Sequence, residues 1–555
     1  MSLPNPTRDP SPVVDIQDLR VDFSTDAASV TAVAGVSLIV NPGEVLAIVG
    51  ESGSGKTVTA KSILKLLPDT ATVSGAVILA GEDILTVDAA ELRQMRGRDA
   101  AMVFQEPSTA LNPVFTAGWQ IAEGLRAHGE FTKADARLKA IEMLRKVGIP
   151  EPEKRVDYYP HQFSGGQKQR VVIAQALVLG PKVIVADEPT TALDVTVQAE
   201  ILDLLRSLRD EFGTSIVLIT HNMGVVADLA DRVAVMYLGE VVEQAPVREL
   251  FANPQNDYTR KLLAAVPRIG SRTAPRLPTP TAEPVVVAKQ LEIVYPGRLG
   301  RPGFRAVDRV SFDIRPGEVL GLVGESGSGK TTIGRAIAGL TRVTGGSLQV
   351  LGHEMRGVKE RDFRAVRRQI GFVFQDPATS FNPLLTIADA VAEPLIVHHV
   401  AANAKAARAR VDELLDAVRL PLAFGDRFPH ELSGGQRQRA SLARSLALNP
   451  SLLIADEPTS ALDVSVQATV LELFADLQKD LGFACLFISH DLAVVDMLAD
   501  RIAVLYHGKL VEEGPGDQVL GAPRDDYTKR LLASLPVPDP VAQEVRRRER
   551  AALLG

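Results

Sequence analysis

The chain has 555 residues, 46% of them hydrophobic and 23% charged, and a formal net charge of −7. This length predicts more than one domain, and the composition is that of an ordinary soluble globular protein. The acidic balance argues against nucleic acid as a partner, because nucleic-acid-binding proteins normally carry a basic surface. A single cysteine, Cys485, excludes an internal disulfide and any all-cysteine metal site.

Composition also divides the chain. Residues 1–12 lack the apolar core of a signal peptide and predict a flexible N-terminal tail. The first half, 13–266, is followed by a proline-rich stretch, 267–284, which is typical of an extended linker. The second half covers 285–536. No stretch of the chain approaches the ~20 consecutive apolar residues of a membrane-spanning helix.

The remaining residues, 537–555, predict a C-terminal tail. They include three consecutive arginines, Arg546–Arg548, for which a solvated helix is the default interpretation.

The strongest motif is an octapeptide, GESGSGKT, that occurs once in each half. Each copy fits G-x-x-x-x-G-K-[ST], follows a short apolar run and precedes a helix-compatible segment. The backbone N–H groups of such a loop surround phosphates, its lysine adds a positive charge, and its threonine hydroxyl reaches Mg²⁺. The predicted nucleotide-binding residues are Gly50, Ser52, Gly53, Gly55, Lys56 and Thr57, and Gly324, Ser326, Gly327, Gly329, Lys330 and Thr331.

A second motif, SGGQ, follows in each half. A serine at a helix start can cap the helix, and glycines leave backbone amides accessible to an anion. From the residues alone, a phosphate contact cannot be distinguished from a simple turn with an N-cap. The candidate residues are Ser164, Gly165, Gly166 and Gln167, and Ser433, Gly434, Gly435 and Gln436.

The third motif is an apolar run that ends in two acids, Asp187-Glu188 and Asp456-Glu457. Carboxylates at the carboxyl ends of strands lie where α/β sheets bind ligands. The aspartates suit Mg²⁺, and the glutamates are candidates to orient or deprotonate water. Solvated acids are the alternative interpretation, which the repetition in both halves disfavours.

The corresponding motifs of the two halves are about 270 residues apart, the spacing of a duplicated domain rather than of a solenoid repeat (~20–50 residues). Apolar β-type runs alternate with helical patterns such as Val411, Leu414, Leu415 and Val418. We therefore predict an α/β fold: two tandem nucleotide-binding domains, each with a mainly parallel sheet and a helical subdomain.

The order of these motifs resembles that of ABC-transporter ATPase domains, and the resemblance covers nearly the whole chain. It implies that each SGGQ binds the γ-phosphate of an ATP held on the opposite half. The two halves would then pair head to tail within one chain. It also implies that Gln105 and Gln375 sense nucleotide, contribute to the Mg²⁺ site and contact membrane subunits.

Further roles follow from the same resemblance. Asp194 and Asp463 would communicate across the paired halves, and His221 and His490 would contact the γ-phosphate. Phe23 and Tyr295 stand where the family stacks adenine on an aromatic ring.

A finer match is to the branch that imports dipeptides, oligopeptides, nickel and glutathione. Two stretches carry it in each half: the segment after Gln105 or Gln375, and the Asp-Tyr-Thr motif that begins at Asp257 or Asp526. The resemblance implies an ATPase that powers import, with ATP and Mg²⁺ as cofactors, at the cytoplasmic face of the inner membrane. Its partners would be two permease subunits and, through them, a solute-binding protein. Unlike several members, this chain lacks the cysteines of an iron–sulfur cluster.

Two other functions remain open at this point. A soluble ABC ATPase acting on ribosomes or nucleic acid could also pair two such domains, although the acidic charge and the short proline-rich linker argue against it. A regulatory nucleotide-binding scaffold without turnover is the third possibility, and the paired glutamates argue against that.

Overall fold

The computed structural model describes residues 11–24, 29–129, 131–191, 193–270, 282–297, 303–460 and 462–554. Most of the predicted N-terminal tail and residues 271–281 of the predicted linker lie outside the described residues. The chain forms two compact units. Unit 1 comprises Met1–Leu193, Val197–Val266 and Pro536–Ala552, and unit 2 comprises Asp194–Thr196, Pro267–Leu535 and Leu553–Gly555.

Unit 1 is built on a six-stranded sheet in which all neighbouring strands are parallel except at one edge, where β10 runs antiparallel to β9. In spatial order its strands are β10 (Glu240–Pro246), β9 (Arg232–Tyr237), β3 (Val45–Val49), β8 (Ser215–Ile219), β7 (Val183–Asp187) and β6 (Ala100–Val103). Strands β3, β7 and β8 are buried at every residue, which explains their near-continuous apolar sequences.

A four-stranded antiparallel sheet packs its apolar side chains into the same core as one face of the parallel sheet. Its spatial order is β2 (Ser29–Val40), β1 (Val14–Ser24), β4 (Ala71–Leu79) and β5 (Glu82–Asp83).

The other face of the parallel sheet contributes to a second core that also contains a group of helices between β6 and β7. The α-helices of the first half of the chain, of which α3 to α7 lie between β6 and β7, are α1 (Lys56–Ser62), α2 (Ala89–Arg98), α3 (Pro107–Ala110), α4 (Ala117–Ala127), α5 (Lys133–Lys146), α6 (Pro152–Arg155), α7 (Gly165–Leu177), α8 (Val195–Phe212), α9 (Met223–Leu229), α10 (Val247–Ala252) and α11 (Asp257–Ala264).

Unit 2 repeats this architecture. Its mainly parallel sheet has the order β16 (Ile370–Val373), β17 (Leu452–Asp456), β18 (Ala484–Ile488), β13 (Val319–Val323), β19 (Arg501–Tyr506) and β20 (Lys509–Pro515). Its antiparallel sheet has the order β12 (Phe304–Ile314), β11 (Val286–Tyr295), β14 (Gly345–Val350) and β15 (His353–Glu354).

The remaining helices are α12 (Lys330–Ile337), α13 (Glu360–Arg367), α14 (Pro377–Ser380), α15 (Ile387–Val397), α16 (Ala404–Ala417), α17 (Gly434–Leu446), α18 (Val464–Leu481), α19 (Leu492–Leu498), α20 (Gly516–Gly521), α21 (Asp526–Ser534) and α22 (Pro540–Leu554). Val411, Leu414 and Leu415 of α16 are buried together, as their helical spacing predicts. The predicted α/β fold with a helical subdomain in each half is confirmed. Across the described ranges, no helix is long and apolar enough to cross a membrane.

The C-terminal residues differ from the sequence-based interpretation. Helix α22 belongs to unit 1 up to Ala552. Its Arg550 forms an ion pair with Asp203, and Nη1 of Arg547 lies 3.3 Å from Oδ1 of Asp228. The arginine run is helical and the side chain of Arg548 is 75% exposed, whereas that of Arg547 is 32% exposed and pairs with Asp228. Charge runs alone do not reveal such pairing, because the acidic partners are more than three hundred residues earlier in the chain.

Candidate active sites

Each octapeptide connects a buried strand to a helix, β3 to α1 and β13 to α12. The amine of Lys56 donates to the carbonyl oxygens of Gly50 (2.8 Å) and Glu51 (2.7 Å). Lys330 donates in the same way to its own loop, at 2.8 Å to both Gly324 and Glu325. Burial lowers the pKa of Lys330, and nearby carboxylates, led by Glu457, only partly offset this effect. Both loops thus hold a buried lysine amine at their centre.

The loop requires glycine at the residue before each lysine. Gly55 and Gly329 have φ values of 97° and 107° and cap the following helices. A Cβ at Gly55 would lie 2.5 Å from the carbonyl oxygen of Ala32, and one at Gly329 would lie 2.4 Å from that of Ala306. Backbone conformation and space therefore both exclude other residues.

The loops also contain a polar atom that fits a phosphate ligand. The hydroxyls of Ser54 and Ser328 are buried and have no hydrogen-bond partner in the described part of the chain. A buried hydroxyl normally has a partner, so an acceptor such as a phosphate oxygen would satisfy each one. The residues present thus fit a nucleotide phosphate.

The strand-end aspartates lie beside the loop threonines. The hydroxyl of Thr57 is 3.2 Å from Oδ1 of Asp187, and that of Thr331 is 3.0 Å from Oδ1 of Asp456. Burial raises the pKa of both carboxyls, and the adjacent glutamate adds to the rise. A hydroxyl and a carboxylate beside a phosphate loop are the oxygen donors that Mg²⁺ accepts, the remaining positions being filled by water and phosphate.

Glu188 is the centre of a hydrogen-bond network. Its Oε2 accepts from Nε2 of Gln105 (2.7 Å) and from the hydroxyl of Thr191 (2.9 Å), and its Oε1 lies 3.0 Å from Nδ1 of His221. Burial raises the pKa of Glu188, but the hydrogen bond and charge of His221 and the bond from Thr191 outweigh it, and the pKa lies below its ordinary value. The carboxylate is therefore ionised and oriented.

Glu457 has the equivalent network. Nε2 of Gln375 is 3.0 Å and Nδ1 of His490 is 3.2 Å from Oε2 of Glu457. The pKa of Glu457 is lowered, because the contacts with His490 outweigh burial. For His490 burial lowers the pKa, but Glu457 and Asp491 outweigh it and the net pKa is raised. The predicted glutamine, glutamate and histidine thus lie together in both units.

Two features of this network were missed by the sequence analysis. Thr191 binds Glu188, whereas the hydroxyl at the corresponding position, Ser460, bonds to the backbone oxygen of Glu457. Glu188 and Glu457 also both have a φ of 48°, the left-handed region that glutamate rarely adopts. Strained residues of this kind cluster at functional sites, but no sequence signal reports them.

The SGGQ serines are helix caps. Ser164 and Gln167 form a reciprocal capping box at the start of α7, and Ser433 and Gln436 form one at the start of α17. The hydrogen bonds between these side chains and the backbone close within the motif. They do not join the motif to the glutamate network.

The two SGGQ glycines differ in their surroundings. A Cβ at Gly166 would lie 2.4 Å from Cγ1 of Val197, and one at Gly435 would lie 2.2 Å from Cγ1 of Val466, so helix packing requires glycine at the second position. The first glycine of each pair has more room, with the nearest atom at 4.0 Å for Gly165 and 3.5 Å for Gly434.

The two Ala-Leu-Asp aspartates lie at the start of long helices. Within unit 2, a carboxylate oxygen of Asp194 accepts the backbone N–H of Ser326, and the hydroxyl of Thr196 donates to Glu325 (2.7 Å). Asp463 caps α18 and accepts the N–H of Val466 at 3.1 Å.

The two candidate adenine-stacking residues differ. Tyr295 is 40% exposed, and its hydroxyl lies 3.4 Å from that of Thr332, next to the phosphate-loop threonine. Phe23 is partly buried against the core of unit 1.

Helices α11 and α21, which carry the Asp-Tyr-Thr motifs and which we call the C-terminal extension of each domain, contact the phosphate loop of their own unit. The sequence did not predict this contact. The N–H of Glu51 donates to the hydroxyl of Tyr258 (3.0 Å), and the N–H of Glu325 donates to that of Tyr527 (3.1 Å). The repeated Asp-Tyr-Thr motif marked these tyrosines but gave no indication of what they contact.

Two models of known protein families match this chain, and each model matches one range in each half. The model described as "ABC transporter" matches residues 33–191 and 307–460. The model described as "Oligopeptide/dipeptide transporter, C-terminal region" matches 242–290 and 511–553. The second pair includes Tyr258 and Tyr527.

Similar curated proteins include the glutathione import ATP-binding protein GsiA of Escherichia coli K12 and of Shigella sonnei. Each is 45% identical over 573 residues, which cover 96% of this chain and 91% of the relative. Among solved structures, an ATP-binding cassette in a dimeric post-hydrolysis state with ADP and Pi is 31% identical. It covers 42% of this chain and 99% of that one, with a TM-score of 0.39.

Proposed function

Because this chain belongs to the ABC transporter ATP-binding family, in the branch with the oligopeptide/dipeptide C-terminal region, we propose that it hydrolyses ATP at two sites to power import of a peptide-class solute. It is an ABC importer ATPase with two ATP-binding domains in one chain. The observation that carries the two-site proposal is the glutamate network, which is present with its glutamine and histidine in both units.

Each residue has a role that its position supports. Lys56 and Lys330 would bind the terminal phosphates, assisted by the backbone N–H groups of their loops. Thr57 with Asp187, and Thr331 with Asp456, would hold Mg²⁺, which when bound neutralises phosphate charge. The side-chain amides of Gln105 and Gln375 donate hydrogen bonds to Glu188 and Glu457. They would also contribute to the metal site, as the family resemblance implies.

Glu188 and Glu457 would orient the attacking water and accept its proton. Their lowered pKa keeps them ionised at neutral pH, as a proton acceptor must be. His221 and His490 are bonded to these carboxylates and would hold them in position, and they would contact the γ-phosphate, as the family resemblance implies. Phosphoryl transfer depends mostly on positioning and charge stabilisation, which this set of groups provides.

We also propose that the two domains pair head to tail, so that the SGGQ of one completes the ATP site of the other. Two features support this proposal. The capping serines and the first glycines of the motif are accessible at a helix N-terminus, where anions bind. The SGGQ bonds do not join the motif to its own glutamate network.

The substrate would be a short peptide or a peptide-like solute such as glutathione. This proposal rests on the two matches to the oligopeptide/dipeptide region and on relatives named for glutathione import. Two permease subunits would carry the solute across the membrane, and a solute-binding protein would deliver it to them. The chain would sit peripherally on the cytoplasmic face of the inner membrane.

Reconstitution tests this function. The chain is co-expressed with its copurifying permeases, placed in vesicles, and uptake of labelled glutathione or dipeptides is measured with and without ATP. We expect ATP-dependent uptake that a Lys56→Ala/Lys330→Ala chain does not support. Copurification with ribosomes or nucleic acid instead of permeases, together with ATPase activity that these stimulate, would contradict import.

A further inference from the structure

The C-terminal extension of each unit contacts the start of the phosphate loop through one tyrosine hydroxyl. Tyr258 lies in α11, immediately after the helix start, and its hydroxyl oxygen accepts the N–H of Glu51 at 3.0 Å. In unit 2, Tyr527 of α21 accepts the N–H of Glu325 at 3.1 Å. The two contacts are equivalent, so the arrangement is a property of both sites.

The peptide group that the tyrosine binds is the one that also binds the loop lysine. The Gly50–Glu51 peptide presents its N–H to Tyr258 and its carbonyl oxygen to Nζ of Lys56, at 2.8 Å. Both polar groups of one peptide are therefore held, one from each side. A rotation of this peptide would break both bonds, so the hydroxyl restrains the backbone that positions the lysine.

The tyrosine itself is held from three directions. The side chain of Asn256 caps its backbone N–H at 2.8 Å, and Glu243 of β10 accepts the N–H groups of Gln255 and Asn256 at 2.7 and 2.9 Å. The ring packs against that of Tyr237, with centroids 4.3 Å apart.

The same restraints occur in unit 2. Asp525 caps the N–H of Tyr527 at 2.8 Å, Glu512 accepts the N–H groups of Arg524 and Asp525, and the ring of Tyr506 stacks at 4.0 Å. A rigidly held hydroxyl can restrain its partner, whereas a mobile one cannot.

We propose that Tyr258 and Tyr527 are positioning residues for ATP binding, through which the C-terminal extension of each domain pre-organises the phosphate loop. They act through the loop backbone and do not touch the reacting atoms. This proposal rests on the proposed function in one respect, namely that the loops bind ATP. Since a loop held in one geometry contacts the phosphates both before and during transfer, losing the restraint weakens both states alike and raises KM while kcat is maintained.

The test uses the full chain and variants that remove only the hydroxyl. In Tyr258→Phe/Tyr527→Phe the ring packing is kept, and we expect the KM for ATP to rise about 2- to 10-fold, the effect of losing one hydrogen bond at each site. The kcat should stay within about 2-fold of the parent value. Tyr237→Phe/Tyr506→Phe is the matched control, because it removes a hydroxyl from each pair of packed rings and leaves the bond to the loop in place.

Hydrogen exchange of the nucleotide-free chain provides a second readout. We expect faster amide exchange in the loop peptides containing Glu51 and Glu325 in Tyr258→Phe/Tyr527→Phe, and parent-like exchange in the control. Unchanged KM and unchanged loop exchange would overturn the proposal, as would an equal KM rise in the control. A parent chain without ATPase activity would instead contradict the proposed function, and the exchange measurement would still decide the role of the tyrosines.

Discussion

Replacing Glu188 and Glu457 by glutamine is the perturbation that examines the proposed chemistry most closely. The carboxamide has the shape of the carboxylate but lacks its charge and cannot accept a proton. At Glu188 it also replaces two acceptor oxygens, which bind Gln105, Thr191 and His221 at 2.7 to 3.0 Å, by one acceptor and one donor. One of the three contacts must therefore be lost or reversed.

The expected decrease in kcat follows from the proposed role of the two glutamates as general bases. A positioned general base contributes roughly 10²- to 10⁴-fold to a rate, so kcat should fall by that factor, equivalent to about 3–5 kcal/mol. Loss of a hydrogen bond to a charged group costs about 1.5–3 kcal/mol of stability. ATP affinity should change little, because the buried hydroxyl of Ser54 and the amine of Lys56 belong to the loop and are not altered.

The assay is steady-state phosphate release by the full chain, combined with ATP binding and thermal unfolding. Glu106→Gln/Asp376→Asn is the matched control, because Glu106 and Asp376 are exposed acids one residue after Gln105 and Gln375 and the pair removes the same two charges. We expect near-parent kcat in the control and strongly reduced kcat with retained ATP binding in Glu188→Gln/Glu457→Gln. A double variant that hydrolyses ATP at the parent rate would refute the reasoning.

Two further predictions concern pH and packing. The pKa of His490 should lie above 6.5 in ring NMR of the folded chain, and Glu457→Gln should lower it, because burial then remains without the carboxylate that offsets it. The His490–Glu457 contact therefore contributes fully to the free energy of unfolding below pH 6.5, and its contribution is lost as the pH rises through the folded pKa of His490. Unfolding of the parent and of Glu457→Gln at a series of pH values measures this loss. Gly166→Ala should destabilise unit 1 by about 1–3 kcal/mol, because its Cβ would lie 2.4 Å from Val197, whereas Gly165→Ala should cost less because it meets nothing closer than 4.0 Å. Denaturant unfolding of both variants measures the difference, and equal destabilisation would contradict the packing argument.

Much of the fold was predictable because its signals are local. Strands β3, β7 and β8 are short apolar runs that end in recognisable motifs, and the duplication lets each half support the interpretation of the other. The phosphate-loop residues and the strand-end acids could be proposed from the sequence for the same reason. Their chemistry restricts which residue types can occupy each position.

The missed features depend on contacts between distant residues. The hydroxyl of Tyr258 meets Glu51 across 207 residues, and Arg550 meets Asp203 across 347 residues. Neither the hydrophobic periodicity nor the composition of the sequence indicates such pairs. The left-handed backbone of Glu188 was equally invisible, since a single residue of this type gives no sequence signal.

The central claim is that both halves of one chain are working ATP sites, and the amount of ATP bound per chain tests it most directly. In the slow-hydrolysing Glu188→Gln/Glu457→Gln background we predict two ATP per chain. Adding Lys56→Ala or Lys330→Ala should reduce this to one, and adding both should abolish binding. One ATP per chain before any lysine is changed, or two after one lysine is lost, would contradict the account.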